Sequence, residues 1–173
     1  MDAREMLLKE IEESAGNTIY TYVAHWAIVD RLEKRNTVIK IVVILLTALS
    51  AGGFFVSLLS KHSELSWIGA LTSTIALGFN LYTLNFDLPE LCKLHTEAAN
   101  ELWLVRERYK SLLVDFEDMD SVSIRIKRDE LSELVDSINR KYPGTDRASF
   151  KYAQKNLSKY EFSDFEIKEL LHM

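Results

Sequence analysis

Two long apolar runs, residues 41–59 and 65–86, occupy the middle of the chain, and the polar segment SLLSKHSELSW (57–67) separates them. Residues 41–60 carry no charge, and at about 1.5 Å per residue a helix of that length matches a hydrocarbon core of roughly 30 Å. The stretch IVVILL (41–46) covers more than a helical turn without the polar stripe that a surface helix of a soluble domain needs. The first run therefore predicts a transmembrane helix.

The second run is also uncharged but much richer in polar side chains, which makes its insertion alone marginal. These side chains are Ser66, Thr72, Ser73, Thr74, Asn80, Thr83 and Asn85. Because the link of residues 60–64 is short, it can join only antiparallel neighbours, and the two runs are expected to enter the membrane as a hairpin that shelters the polar groups. The alternative is a soluble helical bundle that uses both runs as its core.

Basic residues are concentrated outside the two runs. Arg31, Lys34, Arg35 and Lys40 precede the first run and Lys93 and Arg106 follow the second, whereas the link carries Lys61 alone. The positive-inside rule then predicts a multi-pass membrane protein with both termini in the cytoplasm. The single cysteine, Cys92, excludes an internal disulfide framework.

An apolar seam at spacings of three and four follows the second run and predicts a long exit helix that packs along one face. The residues of this cytoplasmic seam are Leu88, Leu91, His95, Ala98, Leu102, Val105, Tyr109, Leu112 and Phe116. Pro89 predicts a kink in this helix rather than an end. A matching stripe precedes the first run, and the hairpin should place the two antiparallel; its residues are Ile19, Tyr22, Trp26, Val29 and Leu32. The segment SAGN (14–17) is expected to break or cap the N-terminal helix.

The remaining sequence predicts further helices. The acidic run at 115–121 ends the exit helix, and Leu131, Leu134, Val135 and Ile138 mark the next one, which stops at KYPGT (141–145). Thr145 or Asp146 can cap the helix after that turn, and Ser163 with Glu166 predicts a capping box for a last one. The alternating segment VSIRIK (122–127) is too short to argue for a strand.

The predicted fold class is all-α: a two-span transmembrane helical hairpin with long cytoplasmic helical extensions and a C-terminal helical segment. We divide the chain into N-terminal cytoplasmic helices, a first transmembrane helix, an external link, a second transmembrane helix, the exit helix and the C-terminal helices. Their ranges are 1–36, 37–60, 61–64, 65–86, 87–118 and 119–173.

Candidate chemistry changes this picture little. The sequence lacks the phosphate-binding, dinucleotide-binding, hydrolase and zinc-protease motifs, so we expect no catalytic residues, no cofactor and no metal. The net charge of −5, with no basic tail, predicts no direct binding of nucleic acid. His95 on the seam is either a pH sensor or a histidine simply hydrogen-bonded within the helix contact.

One face of the second run carries small or polar residues at spacings of three and four. The residues are Ser66, Gly69, Ser73, Ala76, Asn80 and Thr83, and we expect Leu71, Ile75, Phe79 and Tyr82 to lie away from them. Such a face permits close helix contact and hydrogen bonds between helices, with Thr47, Ser50, Gly53 and Ser57 of the first run available as neighbours. It could also line a water-filled pore in an oligomer, with Asn80 as the most polar position.

The order of these parts resembles the SLATT proteins, two-span effectors associated with bacterial nucleotide-signalling and conflict systems. The similarity is carried by the basic amphipathic helix, the tight hairpin, the exit helix LPELCKLHTEAANELWLVRERYKSLL (88–113) and RDELSELVDSINRKYPGTDRASFKYAQKNL (128–157). It implies an antiphage effector of the bacterial inner membrane that oligomerises and permeabilises the bilayer when a partner protein or nucleotide signal reports infection. It supplies no catalytic residues.

Two functional hypotheses follow. In the first, copies assemble through the exit helix and the small-residue faces into a gated pore, in the lipid bilayer and under the control of a nucleotide-signalling or reverse-transcriptase partner. In the second, the chain is a non-conducting anchor or scaffold that recruits a cytoplasmic partner through its helices. The basic cluster of Arg125, Lys127 and Arg128 could bind a phosphate or a lipid headgroup, or form a solvated helix start.

Overall fold

The computed structural model describes residues 2–60 and 64–156. They form five α-helices and a short 3₁₀ helix, Phe116–Asp118, and no strand occurs among them, so the all-α prediction is confirmed. The helices are α1 (Ala3–Ser60), α2 (Glu64–Asn85), α3 (Leu88–Val114), α4 (Ser121–Lys141) and α5 (Arg147–Asn156). The chain divides into two compact units: one of residues 1–30 and 93–173, called the bundle here, and one of residues 31–92, called the hairpin.

The bundle has a continuous apolar core to which all of its helices contribute. In α3 the buried positions alternate at spacings of four and three, which keeps them on one helical face. In α4 they recur every seven residues, at Ile124, Leu131 and Ile138. The α1 side of the core consists of Leu7, Ile11, Ala15, Ile19, Val23 and Ala24, and Ala153 of α5 completes it. The seam of the exit helix is therefore filled from within its own chain.

The N-terminal part of α1 is continuous, so the predicted break at residues 14–17 is wrong. The hydroxyls of Ser14 and Thr18 donate to the carbonyl oxygens of Glu10 and Ser14, each at 2.8 Å, and are satisfied without leaving the helix. Ala15 is 1 % exposed and continues the apolar stripe across the segment. Packing of that stripe outweighs the low helix propensity of serine, glycine and asparagine.

Aspartate side chains cap the helices that follow the turns of the bundle. The side chain of Asp120 accepts hydrogen bonds from the backbone N–H groups of Val122 and Ser123 and begins α4 just before the alternating segment, which is helical throughout. Asp146 accepts from the Ser149 N–H at 2.7 Å and begins α5. The capping box at Ser163 and Glu166 lies outside the described residues.

The hairpin pairs α1 and α2 antiparallel, since Ser50 contacts Gly69 while Arg35 contacts Tyr82. Its outer surface is apolar: Ile44, Leu49 and Leu71 are each more than 60 % exposed. Within the described residues one helix, over Ala3–Gly52, is long and apolar enough to cross a membrane, and only 6 % of its most apolar window is buried. A surface of this kind is the surface expected of a segment dissolved in lipid.

We expected a kink at Pro89 within one continuous helix. The structure instead shows two separate helices, α2 and α3. Helix α2 ends at Asn85 and α3 begins at Leu88. The side chain of Asp87 accepts a hydrogen bond of 3.0 Å from the Glu90 N–H, so it caps a new helix. Pro89 lies in the first turn, where the missing N–H costs nothing.

Candidate functional site

The contact between α1 and α2 is made at positions with small side chains. Gly69 and Ala76 of α2 are buried, as is Ile39 of α1, whereas most neighbouring side chains of both helices are exposed. Small residues let two helix backbones approach closely, which is the main source of helix association inside a bilayer. The small-residue face thus serves, at these two positions, as a contact within one chain.

Polar groups reinforce this contact at one level of the hairpin. The Ser50 hydroxyl donates to the Gly69 carbonyl oxygen at 3.0 Å and also lies in hydrogen-bond contact with the Ser73 hydroxyl. A hydroxyl in hydrocarbon must find a partner or pay a desolvation penalty, so this trio fixes the register of the two helices.

The other polar side chains of α2 are satisfied locally. The side chains of Thr72, Thr74, Thr83 and Asn85 each donate to a backbone carbonyl three or four residues earlier. Tyr82 accepts a hydrogen bond from Arg35. Of the polar side chains that the structure describes between positions 68 and 85, Asn80 alone has no hydrogen-bond partner, and it is exposed.

The structure divides the predicted small-residue face into two groups. Gly69 and Ala76 are buried and Thr83 is half-buried, whereas Ser73 and Asn80 are exposed. The burial of Gly53, Ser57 and Ser66 lies outside what the structure describes.

The large residues opposite that face also divide, which corrects the sequence prediction. Leu71 and Ile75 are exposed, but Phe79 and Tyr82, which we expected to lie away from the contact, are half-buried. The buried face of α2 is rotated from the predicted one because its large aromatic side chains also pack toward α1.

The residues of the exit-helix seam are all buried or half-buried, as the predicted packing face requires. Leu88 is buried in the hairpin and Leu91 is half-buried there. The remaining seven are buried in the bundle: His95, Ala98, Leu102, Val105, Tyr109, Leu112 and Phe116. The helices α1 and α4 of the same chain therefore cover this face within the bundle.

A pair of histidines crosses the bundle between α1 and α3. The Nδ1 atoms of His25 and His95 lie 2.8 Å apart, and each residue is 3 % exposed. One ring must donate its Nδ1–H while the other accepts, so the accepting ring must be neutral with its proton on Nε2, and two charged rings cannot make this contact. The pKa of His25 is lowered to about 4, mainly because the ring is buried and to a smaller extent because His95 lies next to it.

This pair makes the bundle sensitive to acid. Because the pKa of His25 lies below its ordinary value, the folded state binds fewer protons than the unfolded state between about pH 4 and 6.5, and stability falls as the pH drops through that window. We expect the unfolding free energy of the bundle to fall by about 2 kcal/mol between pH 7 and pH 5 because of the pair. Urea titrations read by pulse proteolysis at both pH values measure the change. The double variant His25→Gln/His95→Gln should lose this part of the pH dependence, and an unchanged slope would contradict the assignment.

The spacing of apolar residues in α3 predicted that His95 lies on the seam, but the spacing in α1 did not predict His25 as its partner. A hairpin folded about residues 60–64 brings positions near 25 opposite positions near 97, so the register already paired the two histidines approximately. The predicted stripe of α1 passed through Tyr22 and Trp26, which are half-buried, and thereby left His25 off the buried face.

One of the three basic residues in the cluster at the start of α4, Arg128, already forms ion pairs with carboxylates. Arg128 donates to Glu10 at 2.9 Å, which ties α4 to α1 within the bundle, and to the adjacent Asp129 at 2.7 Å. Arg125 and Lys127 are exposed. Arg128 thus serves the packing of the bundle.

The comparisons with known proteins identify the family. The model of the SMODS and SLOG-associating 2TM effector domain family 4 matches residues 7–169. No curated protein and no solved structure matches the chain. The match covers both the bundle and the hairpin, and its two transmembrane segments agree with the antiparallel pair of apolar helices and their uncovered surface. The chain belongs to the SMODS and SLOG-associating 2TM effector (SLATT) family.

Proposed function

We propose that this chain is an effector of a bacterial antiphage conflict system that assembles in the inner membrane and opens a conducting path across it. Membership of a two-span effector family supports the membrane location and the effector role. The hairpin is the part that enters the bilayer, and the bundle is the part on which a partner protein or nucleotide signal acts.

The unpartnered amide of Asn80 is the observation that carries the proposal. It lies on the exposed surface of α2, well inside the uncharged run. Burying an amide in an apolar medium without a hydrogen bond costs about 2–7 kcal/mol. A hairpin alone in lipid would bear this cost, so Asn80 favours a state in which water or another copy meets the amide.

A water-filled lining explains the neighbouring positions better than contact alone. Ser73 lies seven residues before Asn80, on the same side of α2, and is also exposed. Several hairpins arranged in a ring could direct these positions toward a common channel while Leu71 and Ile75 remain in lipid.

The proposed orientation has both termini in the cytoplasm. The antiparallel pairing of α1 and α2 supports placing the two flanks on one side, and the basic residues around the hairpin favour the cytoplasmic side. The apolar core of the bundle forms within one chain, and the proposed contacts between copies use the exposed apolar surface of the hairpin.

Release of a dye from vesicles tests the conducting path. The full chain, reconstituted in phosphatidylethanolamine and phosphatidylglycerol vesicles at increasing protein density, should release carboxyfluorescein with a steep dependence on density. We expect Asn80→Leu to reduce release about tenfold at equal incorporation, because it removes the polar group from the lining.

Asn85→Leu is the matched control, since its amide bonds to the carbonyl of Leu81 and needs no water. It should leave release near the wild-type level. Equal loss in both variants would argue against a special role for position 80. Intact vesicles at every density, together with retained activity in cells after the hairpin is replaced by an unrelated two-span segment, would favour the anchor hypothesis instead.

A further inference from the structure

A groove on the hairpin combines an apolar floor with two cations. It has a volume of about 450 Å³ and lies between α1 and α2, near the end of the hairpin away from the link. Its lining residues are Lys34, Arg35, Val38, Ile39, Phe79 and Tyr82.

The guanidinium of Arg35 is fixed at the edge of this groove. It donates to the Tyr82 hydroxyl at 2.5 Å, and its central carbon lies 5.5 Å from the centroid of the Tyr82 ring. The ring of Phe86 stacks on Tyr82 at 4.7 Å and holds it in place. The bond to Tyr82 uses one of the five N–H groups of the guanidinium, so the others remain available to an acceptor.

The two cations have no counter-charge in the part of the chain that the structure describes. Neither Lys34 nor Arg35 forms an ion pair with a carboxylate there, unlike Arg128 or Lys141 of the bundle. Both are exposed, and none of the described residues that line the groove is acidic. The positive charge of the groove therefore favours the binding of an anion.

The level of the groove along the helices indicates where that anion comes from. Lys40 is the last charge before the first apolar run, and Asp87 is the first charge after the second. The cationic edge of the groove, at Lys34, Arg35 and Tyr82, lies on the charged side of this boundary, at the depth of the lipid headgroups, where tyrosine is also favoured, and the floor extends from it toward the hydrocarbon. Val38 is 59 % exposed and continues toward the exposed Ile41, so the floor opens to the hydrocarbon side.

We infer that the groove binds one anionic phospholipid of the surrounding leaflet, with the headgroup phosphate on Lys34 and Arg35 and an acyl chain along Val38, Ile39 and Phe79. The inference rests on the proposed placement of the hairpin in the membrane but needs no conductance. A soluble phosphate would satisfy the cations and leave the apolar floor uncovered, whereas a phospholipid satisfies both. Arginine and lysine together suit a phosphate bridged by two donors.

Native mass spectrometry of the full chain in detergent tests the site. We expect one phosphatidylglycerol to be retained per chain at a concentration at least fivefold lower than phosphatidylcholine with the same acyl chains. Lys34→Gln/Arg35→Gln should abolish that preference and leave phosphatidylcholine retention unchanged, while the charge-conserving Lys34→Arg/Arg35→Lys should keep it.

The matched control is Arg147→Gln/Lys151→Gln, which removes one arginine and one lysine from exposed positions of α5. It should retain phosphatidylglycerol like the wild type, and equal loss in the two double variants would overturn the site in favour of general charge attraction. Displacement of the lipid by glycerol 3-phosphate at a similar concentration would overturn the role of the apolar floor. Because lipid retention is measured without dye release, either proposal can fail while the other stands.

Discussion

Replacing Leu102 by alanine is expected to lower the unfolding free energy of the bundle by about 3 kcal/mol. Leu102 is fully buried on α3 and belongs to the core that joins α1, α3 and α4. Truncation removes its transfer energy and leaves a cavity that rigid helices fill only in part. Pulse proteolysis across a urea series, with the full chain in detergent, measures the change.

Leu104→Ala is the matched control for this prediction. Leu104 lies on the same helix and is 61 % exposed, so the same substitution removes little buried area. We expect a change of less than about 0.5 kcal/mol. Similar losses at positions 102 and 104 would contradict the assignment of the buried face of α3, and with it the packing of the seam within one chain.

Gly69→Leu is expected to separate α1 from α2 at the level of Ser50. Gly69 is buried and its carbonyl oxygen lies 3.0 Å from the Ser50 hydroxyl, so a leucine side chain has to enter the helix contact. The separation can be read in a chain that carries Ser50→Cys, Ser73→Cys and Cys92→Ser, because the two serine hydroxyls are in direct contact. Oxidation should form the disulfide readily in this background and about tenfold less when leucine occupies position 69.

Gly78→Leu controls for the change from glycine to leucine in a helix. A Cβ atom at position 78 would meet nothing within 4 Å, so the larger residue fits without moving α1. Both substitutions raise helix propensity equally, and the difference between them isolates the contact. Undiminished cross-linking with leucine at position 69 would show that this close approach does not hold the hairpin together.

The helices of this chain were largely predictable because local signals agree with tertiary packing. The four-and-three spacing from Ala98 to Phe116 marked a buried face, and Asp146 was available as a cap after the proline turn. Hydropathy alone identified the hairpin, since IVVILL leaves no polar face. These features depend on residues close in sequence.

The details that the sequence did not yield depend on residues far apart in the chain. Ser14 and Gly16 looked like a helix break because their propensities are local, whereas the packing of Ala15 that overrides them is not. The rotation of α2 that buries Phe79 depends on the shape of the α1 surface. To predict the histidine pair, one must know the register of α1 against α3 to within one helical turn. The spacing of apolar residues within each helix does not give that register.

The completeness of the bundle core within one chain has a consequence for the timing of assembly. A newly synthesised copy can reach its folded state by a unimolecular reaction, with no second copy required to cover Leu102 or Ile124. Leaving an assembly would then expose no core, so the protein could dissociate and re-associate without denaturing. If copies assemble as proposed, the chain can persist as single folded molecules until its local density drives assembly.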